Sequence, residues 1–298
     1  MTGADVDHER AVTFDQLALE KSVRLLCKTD VRRAPLTLER VKTWIHQFEG
    51  DRERTLAWLI LRHLIYRTSP QLESSLRQGL KEAVIYYLRR AGLAGEVDWK
   101  AALAGQTPTL SFSCGPPSAN SMTSPGKSGE IVTRMVHRGY GLNKWYPHGI
   151  SKLEANERYL VVDDGTYTAE QLIAFLEGWT LNYADGNVAI VVGLAHQRAV
   201  DAIAKRFPTV QLFAGELLTE KNSLRWLSQR WMADDQWPYR EETPHETYLH
   251  ACRRVGLSDN AEGFGSLGLM VAFEHGIPDD SLRLLWDKSR TWTPLIER

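Results

Sequence analysis

The first third of the chain carries apolar residues at helical spacing. Four segments have this pattern and are predicted to be helices: residues 14–27, 38–48, 52–66 and 71–90. Thr37 is placed to cap the second helix, and Gly92 follows the fourth, where a helix is expected to stop. Since no strand-like run of β-branched residues interrupts this region, residues 1–104 are interpreted as a helical domain.

The pattern changes after Gly105, where short β-branched runs alternate with helical segments. The predicted strands are residues 110–114, 159–162, 188–192, 210–213 and 269–273, and the predicted helices are residues 129–138, 169–182 and 196–206. This alternation predicts an α/β fold in which helices cover a parallel sheet. Residues 105–298 are therefore interpreted as an α/β domain, and the polar residues 216–266 as a helical insertion within it.

Charge and composition narrow the class of protein. The 298-residue chain is 43% hydrophobic, and its 36 Lys and Arg nearly balance its 37 Asp and Glu. A general nucleic-acid binder needs a basic excess, so that class is disfavoured. Cys27, Cys114 and Cys252 lie too far apart for a disulfide framework or a metal motif, which favours a reducing compartment. Because the longest apolar run, residues 188–195, is too short to cross a bilayer, we expect a cytoplasmic protein without membrane contact.

The segment that carries chemistry is an apolar strand that ends in two adjacent carboxylates. Residues 159–162 lead into Asp163 and Asp164, and a turn with two threonines precedes the next helix. Ligands of parallel sheets bind beyond the carboxyl ends of the strands. Free amides at the helix start favour an anion, and the acids favour hydroxyl groups, so a sugar phosphate with magnesium would suit both. The competing interpretation is that the acids only cap the helix and end the strand in solvent.

This segment resembles the phosphoribosyl diphosphate (PRPP) loop of type I phosphoribosyltransferases. The resemblance implies that Asp163 and Asp164 hold the ribose hydroxyls and meet magnesium only through the ligand. The phosphate-binding loop that it implies consists of Gly165, Thr166, Tyr167, Thr168 and Ala169. The sequence departs from the family at Ala169 and Glu170, because the family usually has glycine at both positions.

A series of segments over residues 37–298 extends this resemblance. In chain order they are residues 44–48, 127–129, 163–164, 273–282 and 285–286. The series looks like the phosphoribosyltransferase-like proteins of bacterial conflict elements, some encoded beside retron reverse transcriptases. It implies a type I phosphoribosyltransferase fold and a magnesium-dependent displacement at the anomeric carbon of PRPP or a related nucleotide, in antiphage defence. Lys127, Ser128 and Gly129 would then cradle pyrophosphate.

Three alternatives remain open from the sequence. The fold could retain the ribose-phosphate site as a non-catalytic sensor, and the departures at Ala169 and Glu170 favour this alternative. The helical domain could dock a reverse transcriptase–nucleic-acid complex, which would make the chain an assembly subunit, and an oligomer is equally open. Residues 121–128 nearly match a nucleotide P-loop, but Ser121 replaces the first glycine of that motif.

Overall fold

The computed structural model describes residues 3–107, 109–117, 128–142, 144–146, 152–179 and 185–297, and describes side chains for these residues except 3–15, 144 and 145. Contacts within the chain define two compact units. Unit 1 comprises residues 1–69 and 220–298, and unit 2 comprises residues 70–219. The units are defined by spatial contacts, whereas the boundary expected after residue 104 was based on the change in hydrophobic pattern along the sequence. That domain boundary stays a prediction.

Helices and strands alternate through most of the chain. The helices are α1 (Gly3–Lys28), α2 (Leu38–Ile45), α3 (Gly50–His63), α4 (Ser69–Arg90), α5 (Trp99–Leu103), α6 (Ser128–Tyr140), α7 (Glu170–Gly178), α8 (Gln197–Arg206), α9 (Leu224–Ala233), α10 (Pro244–Arg254) and α11 (Arg283–Trp286). The strands are β1 (Ile65–Arg67), β2 (Ser111–Gly115), β3 (Lys144–Trp145), β4 (Glu157–Thr166), β5 (Val188–His196), β6 (Gln211–Leu218) and β7 (Val271–Phe273).

Unit 2 is built on a five-stranded parallel sheet in the order β3-β2-β4-β5-β6. Every residue of β5 is buried, which is typical of a parallel strand covered on both faces. The buried residues of α7, among them Leu172 and Leu176, pack with Val161 of β4 and Ile190 of β5. The predicted α/β class with a parallel sheet is confirmed, and β4 lies at its centre.

Unit 1 combines the first helices with the end of the chain. Thr37 caps α2 as predicted, because its hydroxyl accepts a hydrogen bond from the amide of Arg40 at 3.2 Å. The rings of Trp44, Phe48 and Trp292 pack edge to face in the core of this unit. Residues from both ends of the sequence therefore share one hydrophobic core.

The structure corrects two elements of the sequence analysis. The predicted helix 52–66 ends at His63, and β1 follows it in a region where no strand was predicted. β1 pairs in parallel with β7, with Tyr66 opposite Ala272. The predicted strand at 269–273 thus exists, but in a separate two-stranded sheet of unit 1. Within the described part of the chain, no helix has the length and apolar character needed to span a membrane.

Candidate functional site

The acid pair lies inside the carboxyl end of β4. The side chains of Asp163 and Asp164 are 6% and 9% exposed, so both carboxyl groups are buried. The N-cap of α7 is Ala169, which makes no side-chain capping bond. The interpretation of the acids as helix caps at a solvated strand end is therefore wrong. Burying a carboxyl group is unfavourable unless hydrogen bonds compensate for lost water, so its partners define the site.

Asp163 is held by two hydrogen bonds on one carboxyl oxygen. Its Oδ1 accepts from Ser128 Oγ at 3.1 Å and from the amide of Asp164 at 2.9 Å. Ser128 begins α6, and the next residue, Gly129, packs against the same acid, since a Cβ added to Gly129 would lie 3.6 Å from Asp163 Oδ1. The fold therefore brings two of the three pyrophosphate-loop candidates to the acid pair. The third, Lys127, lies outside the described residues.

The surroundings of Asp163 favour its protonated form. Burial, followed by the charge of the adjacent Asp164 carboxylate, raises the pKa of Asp163 well above its ordinary value. The hydrogen bonds from the Asp164 amide and from Ser128 lower the pKa, whereas a hydrogen bond with the Asp164 side chain raises it. The causes that raise the pKa of Asp163 therefore outweigh those that lower it. The pair thus carries less negative charge than two exposed aspartates would.

The first two residues of the predicted phosphate loop, Gly165 and Thr166, belong to β4, and an aromatic ring covers Gly165. Tyr167 is only 4% exposed, and a Cβ on Gly165 would lie 2.5 Å from its Oη and 2.8 Å from its Cζ. The ring therefore rests directly on the backbone of Gly165, which explains why glycine is needed there. Thr166 is buried and Thr168 is partly exposed. Tyr167 was predicted as a phosphate-loop residue, and its contact with Gly165 was not predicted.

Ala169 closes the loop in a backbone conformation that favours glycine. Its φ of 66° and ψ of 3° lie in the left-handed region, and its carbonyl accepts the first helical bond of α7 from Ile173 at 2.8 Å. A non-glycine residue in this region carries a steric penalty of about 1–2 kcal/mol. The departure from the family pattern therefore occurs where a glycine would fit best, and Glu170 beside it is exposed.

His196, which ends the neighbouring strand β5, is a further residue at this edge that was not predicted from the sequence. Ala195, the residue before it, lies opposite Thr166 of β4, so His196 reaches the same edge of the sheet as the loop. Its side chain is 4% exposed, and Nδ1 accepts from the amide of Arg198 at 3.2 Å, which caps α8. The sequence could have indicated His196 as a candidate site residue, because it is a polar residue at the end of a continuous apolar strand, as Asp163 is.

The described residues offer few protein ligands for a metal ion. They contain no cluster of three or more His, Cys, Asp or Glu side chains arranged to hold one. Mg²⁺ in nucleotide sites commonly keeps several waters and takes phosphate oxygens, with only one or two carboxylates from the protein. The acid pair is therefore compatible with an ion that arrives on a phosphate ligand.

Two open clefts lie elsewhere, on unit 1. One of about 490 Å³ is lined by residues that include Arg40 and Glu274, and one of about 550 Å³ includes Arg52 and Glu242. Neither cleft contains the acid pair or the loop after it.

One family of known proteins matches most of the chain. The family model described as PRTase-CE matches residues 41–298, almost the same stretch as the resemblance in the sequence. The matched stretch contains the acid pair, the loop after it and the start of α6. No curated protein matches the chain.

Proposed function

This chain belongs to the phosphoribosyltransferase-like PRTase-CE family, and from that premise we propose that the acid pair and the loop after it bind PRPP or a related ribose phosphate. The observation that carries the proposal is the buried pair Asp163–Asp164 near the carboxyl end of the central strand β4, which runs on to Thr166 and then turns into α7. In a parallel sheet this edge is where ligands bind. Carboxyl groups there can accept hydrogen bonds from sugar hydroxyls.

The loop is suited to the phosphate end of the same ligand. The first amides of α7 have no partners within the helix and carry partial positive charge, which attracts a phosphate. Thr166 and Thr168 add hydroxyl donors within the same few residues. A ligand with hydroxyl groups at one end and a phosphate at the other would therefore satisfy both halves of the site.

The reaction that we propose is displacement at the anomeric carbon of the ribose. The bond to pyrophosphate breaks, an acceptor forms the new bond, and the sugar passes through an oxocarbenium-like state. Such catalysis depends mainly on positioning and on stabilising the leaving charge. Ser128 and Gly129 are the described residues proposed to face the pyrophosphate. A magnesium ion bound with the ligand would neutralise part of the pyrophosphate charge.

A second candidate function, a sensor that binds without turnover, is favoured by Ala169 and Glu170. The methyl group of Ala169 takes the place of a glycine hydrogen in the loop, and Glu170 adds a negative charge in the first turn of α7. Both changes weaken a phosphate site without removing it. Pyrophosphate release by the purified protein, measured with PRPP and a panel of acceptors, separates the two functions, because a sensor leaves the ligand intact.

The biological role that we propose is an effector of antiphage defence, as the resemblance to conflict-element proteins implies. Cells that carry the gene with its neighbours should resist phage, and the resistance should be lost with an Asp164→Asn variant. Equal plaque counts for the two strains would remove the defence role but leave the ligand proposal intact. An adjacent reverse transcriptase gene would support the retron association.

The binding experiment is a thermal unfolding series with PRPP, ribose 5-phosphate and a nucleoside monophosphate, each with magnesium at millimolar concentration. A ligand present at a hundred times its Kd stabilises the native state by about 2.7 kcal/mol. Asp164→Asn should abolish the shift, whereas the matched control Asp201→Asn, at an exposed acid of α8 in the same unit, should keep it. Unchanged melting of the unmodified protein with all three ligands would refute the ribose-phosphate site.

A further inference from the structure

Two helices of unit 2 carry more positive charge than the chain as a whole. α4 and α6 together contain six Arg and Lys against three Glu, whereas the full sequence has 36 basic and 37 acidic residues. The basic residues of the two helices are Arg77, Lys81, Arg89, Arg90, Arg134 and Arg138. The balanced charge of the whole chain therefore conceals a local basic region, where an anionic partner can bind.

The two helices lie side by side. Tyr140, the last residue of α6, accepts a hydrogen bond from Arg77 Nε of α4 at 3.3 Å. A Cβ added to Gly139 would lie 3.2 Å from Oε1 of Glu73 in α4, so the end of α6 packs closely on the first half of α4. The exposed residues of the two helices near this junction therefore belong to one surface.

Four basic side chains are exposed on this surface. Arg77 and Lys81 are four positions apart on α4, and Arg134 and Arg138 are four positions apart on α6. Side chains at this spacing lie on the same face of a helix, with about 5–6 Å between their Cβ atoms. Each helix therefore presents a short row of two positive charges to solvent, and the two rows lie on neighbouring helices.

Acids of this region contact other groups. Glu82 accepts a hydrogen bond from Gln78 at 2.6 Å, and Glu73 lies against Gly139 between the two helices. Asp98 caps α5, because its carboxylate accepts from the amide of Lys100 at 2.9 Å. None of these three contacts joins an acid to one of the four exposed cations, so these contacts do not neutralise the rows of positive charge.

A pair of partly exposed aromatic rings lies at one end of this surface. The ring of Trp99 in α5 is 6.0 Å from the ring of Tyr140 between centroids, and the two planes are tilted by 44°. Lys100 is exposed, and its Nζ lies 5.7 Å from the centroid of the Trp99 ring, which is within the range of a cation–π contact. Because Tyr140 is also the partner of Arg77, cations flank both rings. Aromatic rings beside cations are typical of surfaces that bind single-stranded nucleic acid.

These side chains form the basic aromatic face, which consists of Arg77, Lys81, Trp99, Arg134, Arg138 and Tyr140. We propose that the basic aromatic face binds single-stranded nucleic acid, with the phosphates on the cations and unpaired bases on the two rings. A duplex, an acidic peptide and an anionic membrane would satisfy the cations but offer no unpaired base to the rings. The inference goes beyond the proposed ribose-phosphate site and uses none of its residues. Because every base can stack on an aromatic ring, little sequence preference is expected.

The binding experiment measures the fluorescence anisotropy of labelled single strands of about twelve nucleotides, one of dT and one of U, during titration with the protein. Trp99→Ala should weaken binding by about fivefold or more, because the stacking of one base is lost. Trp99→Tyr keeps an aromatic ring at this position and should weaken binding by less than about threefold. A Trp99→Ala variant that binds as tightly as the unmodified protein would overturn the stacking role of the ring pair.

The charge of the face is tested by the double variant Arg134→Gln/Arg138→Gln, which changes two exposed side chains. Between about 50 mM and about 200 mM salt, the slope of log K against log salt should be smaller by about 1.4 than in the unmodified protein, because each phosphate contact to a single strand contributes about 0.7. An unchanged slope would overturn the phosphate contacts. Thermal unfolding shows which variants are folded, and the double variant tests the inference even if Trp99→Ala does not fold.

The matched control removes two exposed cations from the other side of the sheet. α8 packs with Ile190 of β5, whereas a Cβ added to Gly79 of α4 would lie 3.1 Å from the side chain of the next residue, Val191. Since adjacent residues of a strand point to opposite faces, α8 and α4 cover opposite faces of the sheet. Lys205→Gln/Arg206→Gln in α8 should therefore bind the strand as the unmodified protein does. A loss equal to that of the α6 double variant would overturn the location of the site.

Competition separates nucleic acid from the other anionic partners. Unlabelled duplex DNA, polyglutamate and phosphatidylserine vesicles, each at the same concentration of negative charge, should displace the labelled strand less effectively than unlabelled single strand does. Displacement by any of the three as effective as by the single strand would overturn the inference, and so would the failure of both strands to bind at about 50 mM salt. Tighter binding of the U strand would identify the ligand as RNA and tighter binding of the dT strand as DNA, and either order supports the inference.

Discussion

The pH dependence of stability gives the most direct test of the buried acid. Asp163 has a raised pKa in the folded chain because it is buried beside Asp164. An unfolded Asp titrates near a pKa of about 3.9. Above that pH the unfolded chain loses the proton while the folded chain keeps it, so the unmodified protein loses stability as pH rises. The loss continues until the pH passes the raised pKa of Asp163.

The size of the effect follows from one proton. Where the folded and unfolded states differ by one bound proton, the free energy of unfolding changes by about 1.4 kcal/mol per pH unit. Asp163→Asn removes this titration and keeps a similar shape. The difference in stability between the variant and the unmodified protein should therefore increase with pH by up to about 1.4 kcal/mol per unit, from about pH 4 to the raised pKa. Because Asp163 is only 6% exposed, solvent screens its interactions little, and the expected change in the free energy of unfolding is not reduced for screening.

The assay is urea unfolding at several pH values, with unfolding of β4 and β5 followed by pulsed hydrogen exchange at a single pulse pH. Hydrogen exchange in β4 and β5 reports the unfolding of unit 2 alone. This is needed because a chain with two units need not unfold in one step. Asp201→Asn, at an exposed acid of the same unit, is the control and should follow the pH profile of the unmodified protein. Parallel profiles for Asp163→Asn and the unmodified protein would refute the reasoning, because they would mean that Asp163 ionises alike in both states.

Three further substitutions test the surroundings of the site. Gly215→Ala should destabilise unit 2 by about 3 kcal/mol in urea unfolding, because the new Cβ would overlap the backbone of Ser75, and a loss below about 1 kcal/mol would contradict this packing of α4 on β6. Gly165→Ala should be destabilising alone but largely tolerated with Tyr167→Ser, and a double-mutant cycle without coupling would contradict the covering ring. Ala169→Gly should change stability by less than about 1 kcal/mol, because relief of about 1–2 kcal/mol of left-handed strain is offset by loss of a buried methyl group worth about 0.8 kcal/mol and by about 0.4–1 kcal/mol from the greater freedom of glycine in the unfolded chain. The same variant should bind ribose 5-phosphate at least as tightly in calorimetry, and weaker binding would contradict the crowding role of that methyl group.

Local patterns in the sequence were sufficient to predict the strands that carry the site. The continuous apolar runs that became β4 and β5 leave little choice of structure, because a short run of β-branched residues between helical segments is typical of a buried parallel strand. The cap of α2 is equally local, since a threonine hydroxyl needs only the amide three residues later. Such features depend on neighbours in sequence, and the sequence therefore predicts them.

β1 shows where local patterns fail. It has three residues, Ile65–Arg67, directly after an amphipathic helix, and its only strand partner in the described chain is β7, about two hundred positions later. The burial of the tryptophan cluster has the same origin, because Trp44 and Trp292 come from opposite ends of the sequence. Long-range pairing of this kind leaves no periodic signal near either partner.

The acid pair depends both on its neighbours in the sequence and on residues that are distant in the sequence. The sequence could place Asp163 at the end of a strand, and from there a solvated carboxylate was a reasonable expectation. What makes the side chain a buried, hydrogen-bonded group is a hydroxyl thirty-five positions earlier, at Ser128, together with a ring that folds back onto Gly165. The residue type and the strand end fix where the carboxyl group lies, but its burial and the neighbouring Asp164 charge raise its pKa, and the hydrogen bond from Ser128 opposes this rise. The protonation of Asp163 therefore depends on packing against residues that are distant in the sequence, and the pH profile of the Asp163→Asn variant is the means to measure it.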